Sequence, residues 1–207
     1  MGLEAYGISK DILDILSYES RIGKSLKKTT LHKVEENILF DEIQNIIDFY
    51  IGNELFDKEN FDKINYRIKS MDSCRRKYKR YFPNREINKV FNDILGFRII
   101  SEYEEILKQD LSLFNVVDIT KGKANDDGYR GLHLYYIKSN YHYPIEIQVN
   151  SYKDRIFADW THMMVYKYIE NKDISRYLRK EFDNGNINSE KEFMEVLNNV
   201  LSSCKEI

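Results

Sequence analysis

The sequence lacks long hydrophobic stretches. No run of about 18 apolar residues, the length needed to cross a bilayer, occurs among the 207 residues. The N-terminal residues, MGLEAYGISKDILDIL, have neither the basic start nor the apolar centre of a signal peptide. These absences argue against a membrane protein or a secreted protein, and we expect a cytoplasmic protein that does not bind membranes.

Cysteine is almost as scarce. Cys74 and Cys204 are the only two, they lie far apart, and no CxxC motif or Cys/His cluster surrounds either. This spacing excludes a disulfide framework and makes a thiolate metal site unsupported. A reduced intracellular protein is the simplest interpretation.

An excess of positive charge is also missing. Lys and Arg number 32 against 34 Asp and Glu, for a net charge of −2. A protein that coats nucleic acid is usually strongly basic, so any site for a polyanion must be local. The length and the 42% hydrophobic content suffice for one core, which predicts a single domain over residues 1–207.

Helical periodicity is present at both ends of the chain. Apolar residues at helical spacing predict N-terminal helices within 8–51, over 8–19 and 31–51, and C-terminal helices within 173–204. The linker SRIGKSLKKTT carries Lys24, Lys27 and Lys28. Its Gly-Lys-Ser triplet is not a P-loop, because Tyr18 stands where that motif requires glycine and a helix precedes it. The linker is either a solvated basic segment or a contact for a phosphate backbone.

The most basic stretch of the chain is YRIKSMDSCRRKYKRYFP. It predicts a strand over 66–69 and a helix that begins after an N-cap at Ser70. The N-terminus of a helix beside cations can bind a phosphate, because its free N–H groups and the helix dipole favour an anion there. The alternative is a basic helix that is simply solvated. The candidate phosphate-binding side chains are Arg67 and Lys69 on the strand, Ser73 and Lys77 on one face of the helix, and Arg76 and Arg80 flanking that face.

A carboxylate and a cation flank the next predicted strand. Asp93 comes directly before the apolar run 95–100, and Arg98 lies inside it. An unpaired charge is costly to bury, so Arg98 needs an anionic partner and is a candidate site residue.

Residues 126–150 predict a β-hairpin that starts from a glycine turn. Two alternating runs bury one face and leave His133, Tyr135, Glu146 and Gln148 on the other. This polar face is either ordinary solvated polarity or a functional surface. In the following helix Ile156, Trp160, Met163, Met164 and Lys167 are expected to face the sheet, and His162 fits a core histidine.

Together these patterns predict an α+β fold. A mixed sheet of about five strands, over 66–69, 95–100, 114–120, 130–138 and 143–150, is surrounded by helices.

The motifs RIKSMDSCRRK, DILGFRII, DGYRGLHLYY, PIEIQVN and ADWTHMMVYK also follow one another in a familiar order. In order and spacing they resemble the synthetase domain of the RelA/SpoT family of ATP pyrophosphokinases, over a core of about residues 60–170. Because no hydrolase-like segment precedes this core, the chain is similar to the short, single-domain members, with a nucleotidyltransferase-like synthetase fold.

The resemblance implies a role for each matching residue. Asp93 and Glu146 match the acids that hold Mg²⁺, and Glu146 also matches the residue proposed to activate the acceptor hydroxyl. Tyr129 matches the tyrosine on which the acceptor base stacks, and His133 and Gln148 match positions that line the acceptor side. The positions that match contacts to ATP are Arg67, Lys69, Ser73, Lys77 and Arg98.

The chain departs from the family pattern near the acceptor. Asn150 and Ser151 replace an Arg-Thr pair, Gly131 replaces a serine, and Val117 replaces the lysine before Asp118. These differences leave the acceptor open, while the ATP side is intact.

Three functions are consistent with these residues. The favoured one is a toxin that places pyrophosphate on the tRNA 3′-CCA end and is held in check by an antitoxin protein, with tRNA backbone contacts at Lys24, Lys27, Lys28, Arg76 and Arg80. The second is an alarmone synthetase that makes ppGpp or pppGpp from GDP or GTP. The third is a non-catalytic module that binds nucleotide or RNA. The terminal helices are expected to mediate self-association or to dock a partner.

Overall fold

The computed structural model describes residues 3–56, 65–165 and 172–203. Within these ranges two short 3₁₀ helices, Leu3–Tyr6 and Leu31–Lys33, accompany the regular elements. In chain order those elements are α1 (Lys10–Leu16), α2 (Glu36–Ile51), β1 (Asn65–Ile68), α3 (Met71–Tyr81), α4 (Ile87–Val90), β2 (Leu95–Ile100), α5 (Tyr103–Leu107), β3 (Phe114–Asp118), β4 (Leu132–Tyr136), β5 (Ile145–Asn150), α6 (Tyr152–Met164), α7 (Lys172–Asp183) and α8 (Glu190–Ser203). No helix among the described residues combines the length and the apolar character that a membrane span requires.

The five strands form one mixed sheet in the order β1-β2-β5-β4-β3. β1 and β2 are antiparallel, with Asn65 opposite Arg98 and Arg67 opposite Gly96. The predicted α+β fold with a mixed five-stranded sheet is therefore confirmed. The strand over 95–100 matches its predicted bounds, whereas β3, β4 and β5 are each shorter than predicted.

Burial alternates along β4 and β5 as the sequence pattern predicts. Leu132, Leu134 and Tyr136 are buried on β4, and Ile145 and Ile147 are buried on β5. The residues between them, including His133 and Glu146, are half-buried. One face of these strands therefore supplies core and the other supplies polar groups.

The chain divides into two compact units. The first comprises residues 1–99, 104–117 and 133–149, so it contains most of the sheet. Its core includes the apolar face of α2, where Leu39, Ile43, Ile46 and Tyr50 are buried. α2 contacts β1 and α3, which brings the basic strand-helix segment onto this core.

The second unit comprises residues 100–103, 118–132 and 150–207, and its core is helical. α6, α7 and α8 contact one another around Phe157, Leu178 and Phe193. Trp160 packs against this cluster and is partly buried, in a T-shaped contact with Phe182. The apolar face of α6 thus belongs to a helical cluster.

Two predictions for α6 are wrong. Met163 was expected on the packed face but is 48% exposed, and His162 is exposed instead of lying in a core. Neither position follows the apolar face that Phe157 and Trp160 define on the helix. Lys167, assigned to the same face, lies outside the described residues.

The predicted helices are longer than the observed ones. Helix 8–19 is shortened to α1, because Ser9 caps its start by accepting from the Ile12 amide and the chain is extended at Ser17. Helix 31–51 is interrupted, because Val34 and Glu35 are extended between the 3₁₀ turn and α2. The sequence also favours a helix over 102–112, and in the structure this helix is reduced to α5. The sequence favours a further helix from Phe56 onward, and that segment lies almost wholly outside the described residues.

Candidate active site

The basic strand-helix segment forms with the predicted cap. The Ser70 hydroxyl accepts a hydrogen bond from the Ser73 amide at 3.4 Å and starts α3. The Lys69 amide donates to the Ile94 carbonyl at 2.8 Å, which ties the end of β1 to the turn before β2. This backbone contact brings Lys69 next to Asp93, a residue 24 positions later in the chain.

Asp93 lies between two lysines. Lys69 Nζ is 2.5 Å from Oδ2, Lys77 Nζ is 3.0 Å from Oδ1, and Lys77 also donates to Asn92 at 2.8 Å. Burial alone would raise the pKa of Asp93, but the charges of Lys77 and Lys69 outweigh burial and hold the pKa below its ordinary value. The carboxylate is therefore ionised at neutral pH, and it orients two ammonium groups.

The other predicted ATP contacts lie on the same two elements and on β2. Arg76 donates to the Ser73 hydroxyl at 2.9 Å across one turn of α3. The antiparallel register and the period of two along a strand place Arg67 and Arg98 on one face of the sheet. Arg98 is half-buried, so it is less enclosed than its apolar sequence context suggested.

Glu146 occupies the polar face of β5 and has a different set of neighbours. Its Oε1 accepts from His133 Nδ1 at 2.8 Å and from the Tyr135 hydroxyl at 3.0 Å. An ionised carboxylate only accepts, so His133 carries its proton on Nδ1 in this contact. Within the described part of the chain no hydrogen bond reaches Oε2, which lies over Gly96 of β2. Gln148, also half-buried, follows two residues later on the same face.

Asp93 and Glu146 are the two acids expected to hold Mg²⁺. No group of three or more His, Cys, Asp or Glu side chains suited to a metal occurs among the described residues. Magnesium, however, is commonly held by one or two carboxylates together with water and substrate phosphates. Asp93 and Glu146 supply carboxylate oxygens of that kind, so this donor set fits Mg²⁺ that binds together with a nucleotide.

A cavity of about 870 Å³ opens in the first unit. Tyr135, which contacts Glu146, and Asn92, which contacts Lys77, both line it. Lys27 and Arg85 also line it, together with the ion pair of Lys89 and Glu86 at 3.0 Å. Asn88 is 9% exposed, and its Oδ1 has no donor within the described ranges. Among the described residues, the charged ones that line the cavity are thus three cations and one carboxylate, and an acceptor without a donor lies beside them.

Tyr129 belongs to the second unit, in the loop from Asp126 to Gly131. Arg130 donates two hydrogen bonds to Asp126, of 2.7 and 2.9 Å, and this ion pair closes the loop. Lys123 Nζ lies 5.4 Å from the centroid of the Tyr129 ring and also pairs with Asp127 at 3.0 Å. The aromatic ring predicted to receive the acceptor base is thus half-buried, with a cation over one face.

The basic side chains predicted to hold tRNA all lie in the first unit. Lys27, Lys28 and Arg80 are exposed, as that role requires. Lys24 is exposed as well, and its Nζ donates to the Lys33 carbonyl at 2.9 Å. Their role in RNA binding stays a prediction.

Sequence reasoning missed two residues of this site. Tyr135 was placed on the polar face but not among the site residues, although its position two residues after His133 pointed to the same carboxylate. Asn92 had no signal in the sequence, because its contact with Lys77 depends on how α3 packs beside the turn before β2.

Comparisons with known proteins assign the chain to a family. Residues 66–171, more than half of the chain, match the model described as "Region found in RelA / SpoT proteins". No curated protein matches the chain.

Several solved structures are similar to this chain. Small alarmone synthetase 1 from Bacillus subtilis is 18% identical, with 82% of this chain and 96% of that chain covered and a TM-score of 0.41. Small alarmone synthetase 2 from the same organism is 21% identical, with 83% and 98% covered and a TM-score of 0.41. A GTP pyrophosphokinase family protein from Streptococcus pneumoniae is 18% identical, with 80% and 92% covered and a TM-score of 0.43. On the match to the family model, the chain belongs to the RelA/SpoT family of pyrophosphokinases.

Proposed function

We propose that the protein transfers the β,γ-diphosphate of ATP to a ribose 3′-hydroxyl, and that the favoured acceptor is the 3′-CCA end of tRNA. Such a modification blocks aminoacylation of the tRNA end and so inhibits translation, which is the action of a toxin. The observation that carries the transfer is the arrangement of Asp93 between Lys69 and Lys77 in the unit that also holds Glu146 with His133 and Tyr135.

The lysines around Asp93 suit the donor. Transfer of a phosphoryl group needs little covalent help, since positioning and charge neutralisation supply most of the rate enhancement. Lys69 and Lys77 are held in place by one carboxylate and keep further N–H donors for phosphate oxygens. Arg67 and Arg98, on one face of β1 and β2, extend the cationic surface toward the rest of the nucleotide.

Glu146 suits the activation of the acceptor. Its Oε1 is occupied by His133 and Tyr135, which leaves Oε2 to take the proton of the 3′-hydroxyl. The freed oxygen attacks the β-phosphorus of ATP, the bond from the α-phosphate bridging oxygen to the β-phosphorus breaks, and AMP leaves. Mg²⁺, which Asp93 and Glu146 would hold, supplies neutralisation of charge on the phosphate oxygens when bound.

The cationic cavity favours a polynucleotide acceptor. A free nucleotide carries all of its phosphates on one ribose, whereas an RNA end is followed by a chain of phosphodiesters that needs cations beyond the reacting ribose. Lys27 and Arg85 line a cavity of about 870 Å³ next to Tyr135, the neighbour of Glu146. The buried Asn88 Oδ1 can accept from a ribose hydroxyl or a base amino group.

A transfer assay separates the candidate acceptors. Purified protein is incubated with ATP labelled in the γ-phosphate and with deacylated tRNA, GDP or GTP. We expect label in tRNA, and none in tRNA whose terminal ribose has been oxidised by periodate. Label that appears only in guanine nucleotide would overturn the tRNA acceptor and establish the alarmone synthetase instead.

A paired substitution tests the cavity. In Lys27→Met/Arg85→Met we expect the KM for tRNA to rise about tenfold while the KM for ATP stays unchanged, because two phosphate contacts are lost. Lys108→Met, which removes an exposed lysine outside the cavity, is the matched control. Equal effects in both variants would contradict RNA binding in the cavity.

The non-catalytic alternative is tested in cells. Glu146→Gln keeps the size of the side chain but removes the charge that accepts a proton, so we expect it to abolish growth inhibition by the expressed protein. Unchanged inhibition would show that binding alone accounts for the phenotype.

A toxin also implies an antitoxin protein. We propose that the product of a neighbouring gene forms a complex with this chain and that the terminal helices contribute the contact. Gel filtration of the chain alone and together with that product would measure both the complex and the oligomeric state.

A further inference from the structure

Two departures from the family pattern meet at one atom. The first is Asn150 in place of arginine, and the second is Gly131 in place of serine. Both lie against the hydroxyl of Tyr129 in the second unit. We propose that Asn150 is a positioning residue which, with the missing side chain at Gly131, sets the orientation of the Tyr129 ring and thereby the choice of acceptor.

Asn150 is built to hold the loop from Asp126 to Gly131. It is only 1% exposed, at the end of β5. Its amide nitrogen donates to the Arg130 carbonyl at 2.9 Å and to the Tyr129 hydroxyl at 3.3 Å. A side-chain amide has two N–H donors, and here one fixes the backbone beside Tyr129 while the other fixes the far end of its ring. Arginine at this buried position would need an anionic partner instead.

Gly131 leaves the space that this ring orientation requires. A Cβ at residue 131 would lie 2.6 Å from the Tyr129 hydroxyl, 3.0 Å from Cζ and 3.1 Å from the Asn150 amide nitrogen. Atoms at these separations clash, so any side chain would displace the ring. Gly131 is not among the glycines with positive φ, so its backbone accepts other residues and the Tyr129 ring is what demands glycine.

A Tyr129 ring held in one orientation is preorganised to stack against a base. Stacking on an aromatic ring tolerates every base, and less entropy is lost when the ring is already ordered. Asn150 and Gly131 fix the hydroxyl end, and Lys123 covers one face of the ring. The pair therefore determines where a base stacked on Tyr129 lies. This inference rests on the proposed stacking of the acceptor on Tyr129.

The experiment uses two independent single substitutions in the full chain. Gly131→Ala inserts one methyl group against the ring, and Asn150→Ala removes both donors. For each we expect the KM for the acceptor to rise about tenfold, with the KM for ATP unchanged, because only base stacking is disturbed. Filter binding of tRNA without ATP should weaken to the same extent, which separates binding from catalysis.

A double-mutant cycle identifies the atom involved. Tyr129→Phe removes the hydroxyl that Asn150 contacts, so Asn150→Ala should have less effect on tRNA binding in that background than in the wild type. Full additivity would overturn the proposal. So would variants that lower thermal stability but leave the acceptor KM unchanged, since Asn150 would then be structural only.

A third experiment restores the residues of the family pattern at both positions. Gly131→Ser combined with Asn150→Arg should change the ratio of kcat/KM for tRNA over GDP by about tenfold or more, because the ring moves. An unchanged ratio would contradict the proposal. If the wild-type protein labels no acceptor at all, the proposed function fails, whereas active wild type with unaffected variants refutes this inference alone.

Discussion

Single residues decide the charge state of the candidate site. Burial would raise the pKa of Asp93, yet the charges of Lys77 and Lys69 keep it below the ordinary value. The same lysines are the groups proposed to meet the phosphates of ATP. The carboxylate and the two ammonium groups therefore interact as one charged cluster, and removing one group changes the electrostatic environment of the others.

Lys77→Met tests the coupling within this charged cluster. We expect kcat/KM for ATP to fall by about 10- to 100-fold, because a cation on the transferring group is lost. The pKa of Asp93 should rise, so the acid limb of the pH profile should move to higher pH. Lys79→Met, an exposed neighbour on α3, is the control and should leave both quantities unchanged. An unmoved acid limb would separate Lys77 from the titration of Asp93.

Tyr135 offers a second test at this scale, since its hydroxyl contacts Glu146 Oε1 at 3.0 Å. Tyr135→Phe should lower kcat by about tenfold, because a hydrogen bond to a charged group is typically worth about 1.5–3 kcal/mol. The fold should be retained, since the ring stays. Tyr152→Phe changes a side chain that is 71% exposed and should have no effect in the same assay. Equal rates for the two variants would exclude a role for Tyr135.

At the scale of elements, α7 supports the loop that carries Tyr129. Gly128 has φ of +81°, and a Cβ there would lie 2.7 Å from the Ser175 carbonyl of α7. Arg179, one turn later, pairs with Asp154 of α6 through Nη1 at 2.5 Å, and both residues are buried. Tyr103 donates to the same carboxyl at 2.7 Å. A buried ion pair therefore joins α6 to α7, and the loop packs closely against α7 at Gly128.

Arg179→Met should destabilise the protein by about 3–5 kcal/mol, because it leaves Asp154 buried without its cation. Urea unfolding monitored by circular dichroism measures this loss. Arg176→Met removes an arginine of the same helix whose side chain is 58% exposed, and it should cost less than about 1 kcal/mol. Similar midpoints for the two variants would mean that the buried pair contributes nothing to stability.

At the scale of the whole molecule, both units contain a carboxyl group that is more acidic than usual. Burial alone would raise the pKa of Asp154, but hydrogen bonds from Tyr103 and Arg179 outweigh burial and lower it, as the lysines do for Asp93. A carboxyl whose folded pKa lies below its unfolded value stabilises the fold above the unfolded pKa. That contribution is lost as the pH falls through the folded pKa.

We therefore expect the free energy of unfolding to be insensitive to these groups near neutral pH and to decline below about pH 4, the ordinary carboxyl range. Urea midpoints between pH 3 and pH 7 measure the decline. Asp154→Asn cannot titrate, so its midpoint should depend less steeply on pH below about pH 4 than that of the wild type. A parallel pH dependence would assign acid sensitivity to other carboxyl groups.

Much of the fold was predictable because its signals are local. The strand over 95–100, the cap at Ser70 and the polar face with His133 and Glu146 follow from short-range patterns, and all three are observed. The helix over 31–51 was over-extended because buried residues such as Leu31 continue the apolar period across a segment that is not α-helical. Periodicity reports burial, and a 3₁₀ turn can bury the same residues.

The sequence by itself determined which side chains share a face, because the pleat of a strand and the turn of a helix have constant periods. Only the tertiary structure decided their partners. Asp93 receives Lys69 and Lys77, Glu146 receives His133 and Tyr135, and the hydroxyl of Tyr129 rests against Asn150 and Gly131. Most of these contacts join positions more than ten residues apart, and such contacts depend on how strands pair and loops close, which no local period specifies.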